Sequence, residues 1–272
     1  MHQTLNLKKF SFLVYGLGST GISVVKFFKK KKINNFFVWD DNKKLRKKFR
    51  YKCPKHIGNS LKEVDYIVLS PGISLKKVKN KKLIQYQKKI ITDIDLLYLS
   101  NSKFKSIVVT GTNGKSTTCK IISHLLRTNN FDVKLGGNIG TPILNLNIKK
   151  DTFLVIEASS FQLSYSQLIH PNYAILLNIT NDHLDWHGSR QNYLNSKFKI
   201  FNLQKKNNYA LINKKYINIF KKRKYLSKLV KFKISEYYKI KSKIDNRYLK
   251  LKINDENMSF VFNLAKLLKI SQ

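Results

Sequence analysis

One short segment constrains this chain more than any other. The apolar run from Ser106 to Thr110 passes directly into Gly111-Thr112-Asn113-Gly114-Lys115-Ser116-Thr117, and a helical pattern then runs from about Lys115 to Thr128. Strand, glycine-rich turn, helix is the geometry of a phosphate-cradling loop. Backbone N–H groups wrap the phosphates, Lys115 neutralises β/γ charge, and Ser116 or Thr117 offers a hydroxyl to Mg²⁺. Only Thr112 and Asn113 separate the two glycines, so the loop is shorter than the usual G-x-x-x-x-G-K-[ST]. A phosphate-bearing ligand with Mg²⁺ is therefore expected.

The rest of the chain repeats that rhythm. Phe10 to Tyr15, Phe36 to Trp39 and Tyr66 to Leu69 read as strands, with helices expected at about Gly21 to Lys31 and Lys76 to Lys88. A polar stretch, Ser100-Asn101-Ser102-Lys103, resets the pattern, and a domain boundary is expected near residue 102. Beyond it, strands are expected at Ser106 to Thr110, Phe153 to Glu157, Tyr173 to Asn178 and Asn208 to Ile212, with helices across Arg190 to Asn202 and Met258 to Ile270. Strands alternating with helices predict an α/β fold with parallel sheets. Near the start, Gly16-Leu17-Gly18-Ser19-Thr20-Gly21 follows a strand and opens a helix, with Asp40 at the end of the second strand and Asp41 beside it. This pattern suits NAD(P) or FAD, another nucleotide, or a turn that only packs well.

Polar residues at strand ends point to the same region. Glu157 closes Phe153-Leu154-Val155-Ile156 and precedes Ala158-Ser159-Ser160-Phe161-Gln162; Asn178 leads into Thr180-Asn181-Asp182-His183-Leu184-Asp185. Ligands of open α/β sheets lie at the carboxyl ends of the strands, so both segments should face the phosphate loop. Glu157 reads as a Mg²⁺ ligand and His183 as a ligand or phosphate contact.

Charge is the misleading feature. The 272 residues carry 53 Lys+Arg against 15 Asp+Glu, a formal net charge of +38, which by itself suggests a nucleic-acid binder. Only six of these cations are arginine, and phosphate- or base-reading surfaces usually draw on arginine's planar fork. A lysine excess amid abundant Asn, Ile, Phe and Tyr reads as drift toward A/T-rich codons, so no nucleic-acid partner is expected. The acid-free stretch between Asp185 and Glu236 reads first as solvated surface and second as an anion-attracting face. No apolar run reaches spanning length and the start, Met1-His2-Gln3-Thr4, lacks signal-peptide anatomy, so a cytoplasmic protein without membrane contact is expected. Cys53 and Cys119 lie far apart and read as packing residues of a reducing compartment.

The motifs together resemble the Mur ligases of peptidoglycan synthesis. The resemblance rests on Gly111 to Thr117, Gly136-Gly137-Asn138-Ile139-Gly140, Glu157 to Leu163, Asp182-His183-Leu184-Asp185, His187-Gly188-Ser189 and Lys197, and runs from about Phe10 to Phe201. Ser159-Ser160-Phe161-Gln162, Ser70-Pro71-Gly72-Ile73 and the first glycine loop are similar to the members that add D-glutamate to UDP-N-acetylmuramoyl-L-alanine. The resemblance implies a Rossmann-like N-terminal domain, residues 1–102, that binds UDP rather than a redox cofactor. It implies a P-loop-type ATPase α/β domain with a parallel central sheet over residues 103–272, with ATP and Mg²⁺ as cofactors. Gly18, Ser19 and Thr20 would meet the diphosphate, Asp40 and Asp41 the uridine end, and Ser70, Pro71 and Gly72 would shape the crevice. Lys115 would stabilise the transferred phosphoryl group, Ser116 and Glu157 would hold one Mg²⁺, and His183 would help bind a second. Asn138 and Ser159 would orient the substrate. Lys197 matches a lysine that the family carbamylates into an oxygen ligand, although Lys199 stands only two positions away. The implied reaction joins D-glutamate to an L-alanine carboxylate activated as an acyl phosphate, in a monomeric enzyme.

The pattern departs from the family in two places. An adenine-holding His-Asn-x-x-Asn element has its nearest counterpart in Glu256-Asn257-Met258-Ser259-Phe260, which keeps one asparagine, and no third domain follows before Gln272. The alternative expectation is therefore a truncated, catalytically inactive remnant that holds UDP-sugar or nucleotide. A plain dehydrogenase would leave Lys115, Glu157 and His183 unexplained.

Overall fold

The computed structural model describes residues 6–100, 103–230 and 234–270. The expected boundary near residue 102 falls on residues 101–102, outside the described residues, as do Met1 to Thr4 and Gln272.

Two parallel sheets organise the chain. The first has the order β2-β1-β3-β4, from β1 (Phe12–Tyr15), β2 (Phe36–Trp39), β3 (Tyr66–Leu69) and β4 (Ile90–Ile91). The second has the order β10-β9-β8-β5-β7-β6, from β5 (Lys105–Thr110), β6 (Val133–Gly137), β7 (Phe153–Glu157), β8 (Tyr173–Leu176), β9 (Tyr209–Ile212) and β10 (Lys228–Val230). Every paired strand runs parallel, with Val14 opposite both Val38 and Val68, and Val109 opposite Glu157. The first sheet is thus Rossmann-like and the second has the P-loop ATPase arrangement.

Burial explains why the central strands read as unbroken apolar runs. Phe12 and Val14 face one core, Leu13 and Tyr15 another; Val108 likewise faces away from Ile107 and Val109. A strand covered on both faces needs apolar side chains at every position. The helix Lys115–Thr128 instead buries one stripe, Thr118, Cys119, Ile122 and Leu126, at helical spacing. The two sheets also share core: Ile143 and Leu144 join one cluster with Val14, Ile94 and Leu97, where a short turn packs on the helices Ser19–Lys30 and Asp93–Ser100.

Several expected elements shift. The helix expected over Lys76 to Lys88 is instead a turn followed by a 3-10 helix, Lys81–Lys89, capped by Asn80 and broken at Tyr86. Lysines at 76, 77, 79, 81 and 82 repel at helical spacing, and Asn80 favours a cap over a helix interior. Phe10 and Ser11 precede β1, and β8 stops at Leu176, so Leu177 and Asn178 already belong to the crevice loop. The helix expected across Arg190 to Asn202 is α-helical over Arg190–Phe198 and 3-10 over Lys199–Phe201. Short β4, glycine-ended β6 and edge strand β10 carry too little pattern to have been read from sequence.

Candidate functional site

The order of the second sheet makes a switch point. The chain leaves β5 toward β6 on one side and later crosses to β8 on the other, so a crevice opens at the carboxyl ends of β5 and β8. The loop 111–114 lies in it. Gly114 opens the Lys115 helix at φ +83 and supplies no capping side chain, so first-turn N–H groups remain available to an anion. A Cβ at Gly114 would also come within 2.3 Å of Asn257 Oδ1. Loop position is fixed from β8's end: Thr112 N donates to Asn178 O at 2.8 Å, Asn113 N to Asn178 Oδ1 at 2.9 Å, and Thr180 N to Thr112 Oγ1 at 3.0 Å.

Charges converge on that loop. Glu157, buried at the end of β7, accepts from Ser116 Oγ at 2.7 Å on Oε2 and from Asn138 Nδ2 at 2.9 Å on Oε1. Gly137 permits this approach, because at φ +106 a Cβ would meet Glu157 O at 2.3 Å. Lys115 Nζ donates back to Thr112 O at 2.6 Å, and burial holds its ammonium below the ordinary lysine range against the opposing pull of Glu157 and Asp182. Lys197, only 1% exposed, donates from Nζ to Gly111 O at 2.8 Å and lies over the Tyr193 ring. Burial, and then the charge of Lys115, lowers it to about 7. Lys199 goes elsewhere: its Nζ contacts Ser164 O and reaches Ser166 O at 3.3 Å. Of the two lysines, only Lys197 faces the loop.

Ser159 caps the helix Ser160–Tyr165 through a reciprocal capping box with Gln162. His183 adopts a left-handed backbone at φ 51, its Nε2 is 3.3 Å from Asp182 Oδ2, and its ring packs on Phe161. The structure thus brings Lys115, Ser116, Asn138 and Glu157 together with Gly111 to Gly114 and Lys197, while His183 pairs with Asp182. Among the described residues no group of three His, Cys, Asp or Glu could hold a metal ion. The Ser116–Glu157 pair does fit Mg²⁺, which takes one or two hard protein oxygens and leaves its other positions to phosphate and water. Asp182, whose charge faces both Lys115 and Lys197, and Asn178, which braces the loop, received no role from sequence. Their only signal was position after a strand end.

A cavity of about 570 Å³ adjoins the crevice, lined by Asn178, Ile179, Thr180, Asn213, Tyr216 and Phe260 among others. Glu256 lines it too and accepts from Asn213 Nδ2, while Asn257 stands beside Gly114.

The first sheet's loop is built differently. Gly16 sits at φ +100 where a Cβ would be 2.7 Å from Ser70, whose Oγ donates to Gly16 O at 3.0 Å. Gly18 caps the Ser19 helix with no side-chain bond, leaving N–H groups at Ser19 and Thr20. Ser70-Pro71-Gly72 turns above them, closed by Ile73 N to Ser70 O. Asp40 already accepts from Leu17 N at 2.7 Å and Asn42 N at 2.8 Å. Asp41 accepts from Tyr15 OH at 2.8 Å and Trp39 Nε1 at 3.3 Å.

Two parallel sheets, each with a glycine loop at its switch point, one carrying lysine, hydroxyl and carboxylate, define a nucleotide-binding α/β protein of the phosphate-loop class. The particular family follows from comparison. A Mur ligase middle domain model matches residues 109–268 and a MurD-like N-terminal domain model of the Mur ligases matches residues 10–92, and the chain belongs to the Mur ligase family. It is 39% identical over 215 residues to the UDP-N-acetylmuramoylalanine–D-glutamate ligase of Rickettsia prowazekii, covering 76% of this chain and 47% of that protein. To the same-named protein of Rickettsia felis it is 41% identical over 208 residues, covering 74% and 45%. The solved UDP-N-acetylmuramate:L-alanyl-gamma-D-glutamyl-meso-diaminopimelate ligase from Neisseria meningitides aligns at TM-score 0.47 and 15% identity, covering 81% of this chain and 76% of that one. The chain spans about half the length of the curated relatives it matches. Among the described residues no helix is long and apolar enough to cross a membrane.

Proposed function

We propose that this chain supplies the UDP-sugar-binding and ATP-binding parts of a ligase that adds D-glutamate to UDP-N-acetylmuramoyl-L-alanine. The observation that carries this reading is Glu157 bonded to both Ser116 and Asn138 beside the Lys115 loop, within a chain of this family. Residues 1–102 would form the UDP-binding unit: the N–H groups of Ser19 and Thr20 after Gly18 take the diphosphate, and Ser70, Pro71 and Gly72 wall the crevice. Asp40 and Asp41 act there chiefly by fixing the loop, with their remaining lone pairs toward the nucleoside. Residues 103–272 would form the ATP unit, with Gly111, Thr112, Asn113, Gly114 and Thr117 around the phosphates and Lys115 against the transferred phosphoryl. The cavity walled by Tyr216 and Phe260 suits a flat adenine ring.

Bound Mg²⁺ would neutralise phosphate charge as a carboxylate is activated, and Ser116 and Glu157 are the oxygens that would hold it. The chain's own contribution is placement of charge: Lys115 waits part-desolvated, Asn138 and Ser159 orient the sugar-linked L-alanine, and His183 presents its ring from the exposed rim. Lys197 is held as an amine that loses its proton near neutral pH, the form that adds CO₂; the new N–C bond and departing proton would leave an oxygen ligand. The reading is tested by calorimetry with Mg·ATP and with UDP-N-acetylmuramoyl-L-alanine, then by phosphate release on adding D-glutamate. Binding of both ligands is expected; binding of neither overturns it. Binding of both without phosphate release favours the inactive nucleotide-holding remnant.

A further inference from the structure

A second cavity, of about 410 Å³, opens at the joint between the two sheets. Leu75 and Lys76, just after the Ser70 turn, wall one side; Tyr165, Trp186, Asn192 and Lys199 wall the other. Bonds across the joint fix its shape. Leu75 N donates to Tyr165 OH at 2.9 Å and Lys76 Nζ to His187 O at 3.3 Å, an oxygen that Asn192 Nδ2 also reaches at 3.0 Å. Among the described residues, none of either glycine loop lines this cavity, and it shares no wall with the cavity of about 570 Å³ beside the Lys115 loop. Its size and its lining, aromatic and apolar walls with a few polar groups, are those of a small-ligand pocket.

The charge of these walls has one sign. Among the described residues no Asp or Glu lines the cavity, and His187, pushed down to about 4 by burial and then by the charge of Lys197, is neutral at pH 7. Lys199 is part-desolvated: burial lowers its ammonium, and only the charge of Asp95 pulls the other way. Asp95 is itself saturated, accepting from Ser166 Oγ at 2.6 Å, Leu168 N at 2.9 Å, and Gln167 N and Thr92 N at 3.0 Å. Among the described residues no ion pair includes Lys76 or Lys199. Codon drift accounts for solvated lysines, whereas a charge drawn out of water calls for an opposite one. An ammonium has three N–H donors. Lys76 commits one, to His187 O, and Lys199 two, to Ser164 O and Ser166 O, so both keep a donor for a guest.

We propose that this cavity is a second ligand site, which takes a small organic anion with its flat apolar body against Tyr165 and Trp186 and its charged oxygens toward Lys76 and Lys199. The two rings meet at 59° with centroids 5.4 Å apart, a corner into which a flat guest packs by face and edge. Because Lys76 belongs to the first unit and Lys199 to the second, an occupant ties the two together. The site needs nothing from the ligase reading.

The test is an NMR titration of the full chain with benzoate and, separately, with benzamide, which keeps the ring and loses the charge. Benzoate should shift the side-chain amides of Asn192 and Asn195 and the indole N–H of Trp186, with a dissociation constant on the order of millimolar. It should bind about tenfold more tightly than benzamide, the scale of one charge-assisted hydrogen bond. Lys76→Gln, a change at an exposed side chain, should weaken benzoate about threefold to fivefold and leave benzamide within about twofold. Equal affinity for benzoate and benzamide overturns the anionic guest. Benzoate binding that Lys76→Gln leaves unchanged overturns the placement of its charge. Shifts at Thr112 and Asn113 in place of Asn192 and Asn195 put the anion on the phosphate loop and overturn the site, as does a titration with no shift at all. Each outcome is read without ATP, UDP-sugar or turnover, so it decides this site whether or not the chain proves to be a ligase.

Discussion

The two glycine loops share a position and differ in chemistry. Each follows a central parallel strand, opens a helix without a side-chain cap, and lies at a switch point of its sheet. Around the first, carboxylates do structural work: Asp40 staples Leu17 and Asn42, and Asp41 holds Tyr15 and Trp39. Around the second, one carboxylate faces a hydroxyl and an amide, and two lysines are desolvated beside it. A helix N-terminus suffices to hold a diphosphate that does not react. Moving a phosphoryl group demands charge placed in advance, in a site dry enough for it to count.

That contrast can be broken experimentally. Lys115→Met should lower ATP turnover by about 10²–10³-fold, the scale of losing one preorganised charge contact, and leave UDP-sugar affinity unchanged; a coupled-enzyme ATPase assay with calorimetry checks both. Steric limits should separate the glycines of the first loop. A Cβ at Gly21 would lie 1.7 Å from Gly16 O, whereas at Gly18 it meets nothing within 4 Å. Urea unfolding should therefore show Gly21→Ala losing about 2–3 kcal/mol and Gly18→Ala staying within about 0.5 kcal/mol.

Lys197 sharpens the comparison through pH. Its folded value of about 7 lies below its ordinary 10.5, so between the two the unfolded chain binds a proton that the folded one releases. Stability contributed this way rises with pH across that window, at up to about 1.4 kcal/mol per unit, and the penalty is full below 7. The urea midpoint of Lys197→Met should rise less steeply from pH 7 to 10 than that of wild type; parallel slopes would place the charge elsewhere. The smallest effect is expected at Asp40→Asn: about 1 kcal/mol of stability, since one of two part-exposed bonds survives, with weaker UDP-sugar binding and unaltered ATP binding by calorimetry.

Much of this is legible in the sequence, for a local reason. Strand, glycine turn and helix follow one another in sequence, so the loop at Gly111 to Lys115 carries its own geometry. Residues such as Asn178 and Asp182 were seen only as polar groups after a strand, because nothing local says that β8 will lie beside β5. The run from Lys76 to Lys88 misled in the opposite direction: its apolar spacing favours a helix, while repulsion among its lysines and the Asn80 cap do not.

The sequence by itself determined the two parallel sheets and the two glycine loops that open helices after their central strands, since each rests on periodicity or on residue type at fixed spacing. Tertiary structure alone decided which lysine matters and which carboxylates are spent. Lys197 and Lys199 differ by two positions, yet one turns to Gly111 and the other to the joint between the sheets. Asp95 and Asp40 look alike in a string of letters. What distinguishes them is how many donors reach each oxygen once water is gone, and packing of distant segments sets that number.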